Sequence, residues 1–376
     1  MERSSPAERA AAGEAARERT PLADLAEVAP YDDRPDPVAL LQSQSRHRIP
    51  SLVPIRYGRM AATPFTFFRG GALLMADDLS RTPSSGITAW LCGDAHLSNF
   101  GLYATPEREL AFDVNDFDET YPGPFEWDVK RLAASIVVAG QENGFSNKEC
   151  RRAVRATARR YRTVMRTQAG RDTLDVWYSG VKASDMVEAV GADLDTSATK
   201  KTRKALKKAR HRNNVQAWSK LTDDHDGVRR FVSQPPLIVP LRELATPEEM
   251  AKGFGNVRRA FEEDRRTLTF ATRHLLDEFV VGDLARKVVG VGSVGMDAWI
   301  ALMHSSSQDD PLILQLKQAS ESVLQGYLPG PAYSHHGQRV VDGQTLMQRS
   351  SDIFLGWQRA VGVDGTERRL LRAAAA

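Results

Sequence analysis

The chain has 376 residues, 41% hydrophobic and 26% charged, an ordinary globular balance with room for two packed domains or one domain with a cleft. A net charge of +3 is too slight to imply a nucleic-acid partner, and no apolar run approaches the ~20 residues of a membrane-spanning helix. No apolar signal core opens the chain, and two cysteines, Cys92 and Cys150, are too few for a disulfide framework, so the expected compartment is reducing and cytoplasmic.

Residues 1–37 read as a flexible arm, low in aromatics and closing on a run of Asp and Pro. Residues 52–56 and 64–70 read as short extended pieces, and 71–78 as a helix. Strand character at 87–92 runs into Gly93-Asp94-Ala95-His96-Leu97-Ser98-Asn99, and a second strand at 109–114 runs into Asn115-Asp116-Phe117-Asp118-Glu119. The spacing of Val129, Leu132, Ala133, Ile136 and Val137 predicts a buried helix over 126–139, followed by a helix with a basic face over 146–168. Eight Lys or Arg among residues 200–212 form a charged helical face, read as solvated. Residues 247–281 are helical, with Thr246 as cap and Pro247 in the first turn. The pattern then changes to strand, turn and strand over 287–317. These elements divide the chain into a helical catalytic lobe at 38–281 and a glycine-hairpin lobe at 282–376.

Two constellations carry chemistry. Asp94 and Asn99 lie five positions apart in a loop after one strand, and Asp116 follows a second. A phosphotransferase needs such parts: Asp94 to accept the proton of an attacking hydroxyl, Asn99 and Asp116 as hard oxygen ligands for Mg²⁺, and Asp118 as a further ligand. His96 stands beside the base, either shaping the loop or touching substrate. Gly-Asp-x-His also opens some two-metal phosphoesterase sites, which keeps hydrolysis as an alternative.

The second constellation is Gly290-x-Gly292-Ser293-x-Gly295. Dinucleotide folds follow such glycines with a helix and an acidic residue, whereas strand-like sequence and then Lys317 follow here. A lysine within an apolar strand calls for an anionic partner, which ATP phosphates would supply. A helix carboxylate should hold that lysine, with Glu321 or Asp342 as candidates. In ordinary kinases the glycine hairpin precedes the catalytic loop. Here it follows, so the expected fold is α+β, two-lobed, protein-kinase-like and circularly permuted.

The stretches 52–60, 64–70, 91–101, 115–134, 289–295, 314–319 and 339–357 resemble a bacterial family catalogued as domain of unknown function 2252. More distantly, Gly93–Asn99 and Asp116 are similar to aminoglycoside-phosphotransferase-type kinases. That resemblance implies that Asp128 braces the catalytic loop through its backbone. Cys92 stands where such kinases commonly carry His. Residues 367–376 look unlike the family, which raises the expectation of a truncated nucleotide pocket. The functional expectation is an ATP- and Mg²⁺-dependent phosphotransferase acting on an unknown small-molecule or protein hydroxyl. A catalytically weak nucleotide-binding regulator and a metal-dependent phosphoesterase are the alternatives. Arg56, Arg59 and Arg69, set among apolar residues, are expected to pair with carboxylates or with a substrate anion.

Overall fold

The computed structural model describes residues 4–27, 32–185, 218, 220–263, 267–288, 290–307, 310–361 and 365–374. The basic cluster at 200–212 lies outside the described residues. Among those described, no helix is long and apolar enough to cross a membrane. The fold mixes helices with mainly antiparallel sheets, in agreement with the α+β expectation.

The N-terminal segment departs from the flexible arm expected of it. Helix α1 (Pro6–Arg19) starts at a reciprocal cap between Ser5 and Glu8, has Pro in its first turn and buries Ala16. Arg19 Nη2 and Thr20 Oγ1 then donate to the carbonyls of Ser85 and Ser84, at 3.3 and 3.0 Å. Four short helices follow: α2 (Pro37–Ser45), α3 (Val53–Met60), α4 (Pro64–Gly70) and α5 (Ala72–Ser80). Two of these, α3 and α4, replace the extended pieces expected at 52–56 and 64–70. Pro54 and Pro64 both fall in a first helical turn, where a missing N–H costs nothing, and Thr63 caps α4.

Strand β1 (Thr88–Leu91) pairs with β4 (Tyr121–Pro124), and β2 (Phe100–Ala104) pairs with β3 (Leu110–Val114), which also pairs with β5 (Val181–Lys182). Helices α6 (Glu126–Glu142) and α7 (Asn147–Ala169) pack against each other. A hairpin of β6 (Thr222–His225) and β7 (Val228–Phe231) precedes the large sheet.

That sheet is six-stranded and antiparallel. Its strands are β8 (Ile238–Pro240), β9 (Val280–Lys287), β10 (Ala298–His304), β11 (Pro311–Gln318), β12 (Gly356–Val361) and β13 (Glu367–Ala374), in the order β12-β13-β11-β10-β9-β8. Alternate residues of β10 bury on opposite faces: Ile300 and Leu302 with Phe231 and Ile313, Ala301 and Met303 with Leu241, Leu314 and Phe354. The boundary drawn after residue 281 is corrected accordingly, because β8 belongs to this sheet and residue 281 lies within β9. Helices Pro247–Glu263 and Phe270–Asp277 fill the interval between those strands. The N–H of Thr246 donates to the Glu249 carboxylate, and the N–H of Glu249 donates to Thr246 Oγ1, the expected cap in reciprocal form. Strand β13 is hydrogen-bonded on both sides, so residues 367–374 lie inside the sheet.

The six-stranded sheet meets the 92–99 and 115–120 loops through a shared core of Cys92, Ala95, Phe117, Ala319, Val340 and Leu371. Arg339, on helix His336–Met347 and fully buried, fastens this joint. Its Nη1 donates to Thr120 O at 2.6 Å, and its Nη2 donates to Asp118 O and Ser320 O at 2.7 and 2.9 Å. One guanidinium thus ties the 116–120 loop to the segment leaving β11. Replacing it by a chain of similar volume, Arg339→Met, strands three carbonyls. The expected loss is about 3 kcal/mol of unfolding free energy, read as a lower urea midpoint.

Candidate active site

Helix α6 holds the 92–99 loop with polar side chains on its buried face. The Asp128 carboxylate accepts from Cys92 N at 2.8 Å and Gly93 N at 3.1 Å, the bracing role implied by the kinase resemblance. Three residues on, Arg131 Nε donates to Asp94 Oδ1 at 2.7 Å and Nη2 donates to Phe68 O at 2.8 Å. Its guanidinium also stacks 4.2 Å from the Phe68 ring. One turn further, Ser135 Oγ accepts from Leu97 N at 2.9 Å. The apolar stripe expected to be buried, from Val129 to Val137, is only partly so. The fully buried positions are Glu126, Trp127, Arg131, Ser135 and Ala139. This face is polar because the loop it supports has backbone groups and a carboxylate to satisfy.

Gly93 is required by close approach. Its φ is +82°, and a Cβ there would lie 2.1 Å from the Glu119 carbonyl oxygen, so the two catalytic loops touch at this point. Asn99 is buried, and its Nδ2 donates to Asp94 O at 3.1 Å and Asp116 O at 2.9 Å, tying the loops together again. Those bonds leave the amide oxygen as its remaining acceptor. His96 is also buried, with Nε2 3.7 Å from Asp94 Oδ2. Burial lowers its pKa, and Arg131 and Arg69 add to the effect against the opposing pull of Asp94.

The two constellations meet. The Lys317 ammonium on β11 contacts the Asp118 carboxylate directly and stands 3.6 Å from Asp116 Oδ1. Burial alone would push its pKa down, but Asp116 and Asp118 outweigh that and lift it above the usual lysine value. Ser293 Oγ, from the loop between β9 and β10, donates to Asp118 Oδ2 at 3.4 Å. A cavity of about 800 Å³ is lined by Asp94, His96, Asn99, Asp116, Asp118, Gly290, Gly292 and Ser293. Gly295 faces Arg48 instead, with φ +88° and its carbonyl accepting from Ile49 N at 2.8 Å. Lys317 pairs with neither Glu321 nor Asp342; its partners come from the loop and not from a helix.

Sequence reasoning missed several supports. Arg131 and Ser135 were hidden by a search for apolar periodicity, although Asp128, Arg131 and Ser135 share one helical face. Arg48 Nη1 donates to Val294 O and Arg59 Nη1 to Gly290 O, each at 2.6 Å, so the N-terminal helical region clamps the glycine loop. Arg59 therefore binds a carbonyl, and Arg56 bonds neutral oxygens, where ion pairs with protein carboxylates were one expectation.

Glu119 accepts from Val323 N at 2.7 Å, and burial lifts its pKa from an ordinary 4.5 to about 7, against the pull of that N–H and of Arg339. Raised in the folded state, this carboxyl stabilises the fold fully below about 4.5, and the contribution is lost as pH climbs through about 7. Glu119→Gln keeps the acceptor oxygen and removes the titration. Urea unfolding at pH 5 and pH 8 should show the variant gaining stability relative to wild type as pH rises, by an amount on the order of 2 kcal/mol. Parallel pH profiles for the two proteins would contradict the assignment.

The family model described as "Uncharacterized protein conserved in bacteria (DUF2252)" matches residues 48–372. No curated protein and no solved structure matches the chain. With the match running from the clamp residue Arg48 through the glycine loop and Lys317 to β13, the chain belongs to this bacterial family of domain of unknown function 2252.

Proposed function

We propose that this protein is a kinase-like phosphotransferase that uses ATP and Mg²⁺, with its nucleotide-gripping sheet encoded after its catalytic loops. The observation that carries the reading is the meeting of Lys317 with Asp116 and Asp118 beside a cavity that Asp94 and the glycine loop share. Supporting it, the glycine loop joins β9 to β10, the lysine lies on the next strand, and a helix and two more strands follow. A kinase-like nucleotide half needs a glycine loop, a lysine strand and a helix in that sequence. Read so, the chain is a circular permutation of the usual order.

The donor set suits magnesium. Asp116 and Asp118 offer hard carboxylate oxygens, with side chains 49% and 27% exposed, and Asn99 lines the same cavity. Bound magnesium nucleotide would supply the transferable phosphoryl group and neutralise charge developing on it. Lys317 contributes a fixed positive charge. Arg131 orients Asp94 by occupying Oδ1, which leaves Oδ2 to accept the proton of an attacking hydroxyl. His96 lies buried beside Asp94, with Nε2 3.7 Å from Oδ2. A two-metal phosphoesterase would need rings of His and carboxylate ligands. Among the described residues no group of three or more His, Cys, Asp or Glu is gathered for a metal.

Calorimetric titration with magnesium ATP should show Lys317→Ala and Asp116→Ala weakening binding by roughly tenfold or more. Asp94→Asn should bind as wild type while ADP release falls by a factor of about 10² to 10⁴. If all three variants match wild type in both measurements, the assignment is wrong. Retained binding with turnover unchanged in Asp94→Asn would favour a nucleotide-binding regulator.

A further inference from the structure

Besides the residues assigned to nucleotide and metal, the cavity has a wall of three arginines. Arg48 and Arg56 are 8% and 0% exposed, Arg69 is partly buried, and all three line the cavity together with His96. Arg48 donates to the Val294 carbonyl, and Arg56 to Gln44 Oε1, Ser45 Oγ and the Gly70 carbonyl, all neutral acceptors. Among the described residues no carboxylate forms an ion pair with any of the three. The Nε of each is buried without a hydrogen-bond partner, and so is Nδ1 of His96. Burial pushes the Arg48 pKa down to about 10 and the neighbouring Arg56 charge adds to that, against the opposing pull of Glu119 and Asp118.

Guanidinium groups removed from water without a counter-charge are costly, and the cost falls when an anion enters. Their planar forks match the oxygens of phosphate and carboxylate. Carboxylates line the cavity too, with Asp118 and Glu119 acting on Arg48, so the preference for a dianion comes from three guanidiniums grouped on one wall without a direct ion pair. Arg69 also lies close enough to His96 to lower its pKa, and His96 stands 3.7 Å from Asp94 Oδ2, so this wall adjoins the proton-accepting oxygen.

We propose that Arg48, Arg56 and Arg69 bind a phosphate group carried by the acceptor, so that the substrate is a small phosphorylated alcohol whose free hydroxyl is presented to Asp94. The assignment of the hydroxyl rests on the phosphotransferase reading; the anion site itself does not.

Inorganic phosphate is the probe, titrated calorimetrically into protein saturated with magnesium and a non-hydrolysable ATP analogue. The expected result is phosphate binding to the analogue-loaded protein, weakened tenfold or more in Arg69→Ala and partly restored in Arg69→Lys. Acetate at equal concentration should give no comparable heat, and phosphate should raise the melting temperature of wild type but not of Arg69→Ala. The proposal is overturned if the analogue abolishes phosphate binding, since the arginines would then serve the nucleotide. It is equally overturned if Arg69→Ala binds phosphate like wild type, or if acetate binds as well as phosphate. Should the analogue itself fail to bind, the nucleotide reading falls, while the same titration on free protein still decides the anion site.

Discussion

A buried ammonium between two aspartates sets the terms for the rest of the molecule. Lys317 is 7% exposed in a strand whose neighbours Ile313, Leu314 and Leu316 are core residues. Without Asp116 and Asp118 its charge would be stranded in apolar surroundings, and the fold would have to neutralise or expose it. The pair therefore constrains both parents. Strand β11 must end at the cavity, and the 115–119 loop must lie against it. Arg339 meets the second condition by holding the loop's carbonyls, and Gly93 by letting the first catalytic loop pack on the Glu119 backbone.

The same economy shapes helix α6. An amphipathic helix usually turns an apolar stripe inward. This one turns Asp128, Arg131 and Ser135 toward the 92–97 loop, each satisfying a backbone N–H or a carboxylate that would otherwise be buried unpaired. The Asp128 carboxyl, lifted to about 6 by burial despite its two N–H donors, records the cost of placing it there. Loop geometry around Asp94 is consequently set by side chains on one rigid element, as the proposed role of Asp94 toward a hydroxyl requires.

Local rules recovered what local forces decide. The strands before Asp94 and Asp116, the β10–β11 hairpin and the cap at Thr246 follow from alternation, turn chemistry and helix termini within a few residues. The candidate site residues were legible for the same reason, since each lies at the end of a strand that announces itself. Residues 52–70 misled because aromatic and β-branched side chains look strand-like, and prolines that start helices look like breaks. The carbonyls that Arg48 and Arg59 bind, and two of those that Arg339 binds, lie more than two hundred positions away, and a carbonyl carries no residue identity for a sequence pattern to reveal. The partner of Lys317 was sought on a helix by analogy; it sits on a loop already marked for metal binding.

That last displacement bears on how the chain order is to be understood. The contacts joining the glycine sheet to the 92–99 and 115–120 loops are a shared apolar cluster, the Lys317 ion pairs with Asp116 and Asp118, and side-chain hydrogen bonds. None depends on which segment comes first, because none is made by residues adjacent along the chain. Packing of this kind survives relocation of the chain ends, provided each element keeps its own caps and turns. With the anchoring side chains split between the N-terminal helices, α6 and helix His336–Met347, the site is a product of three-dimensional proximity. Reading it as a kinase-like cleft in permuted order therefore demands no interaction beyond those already present.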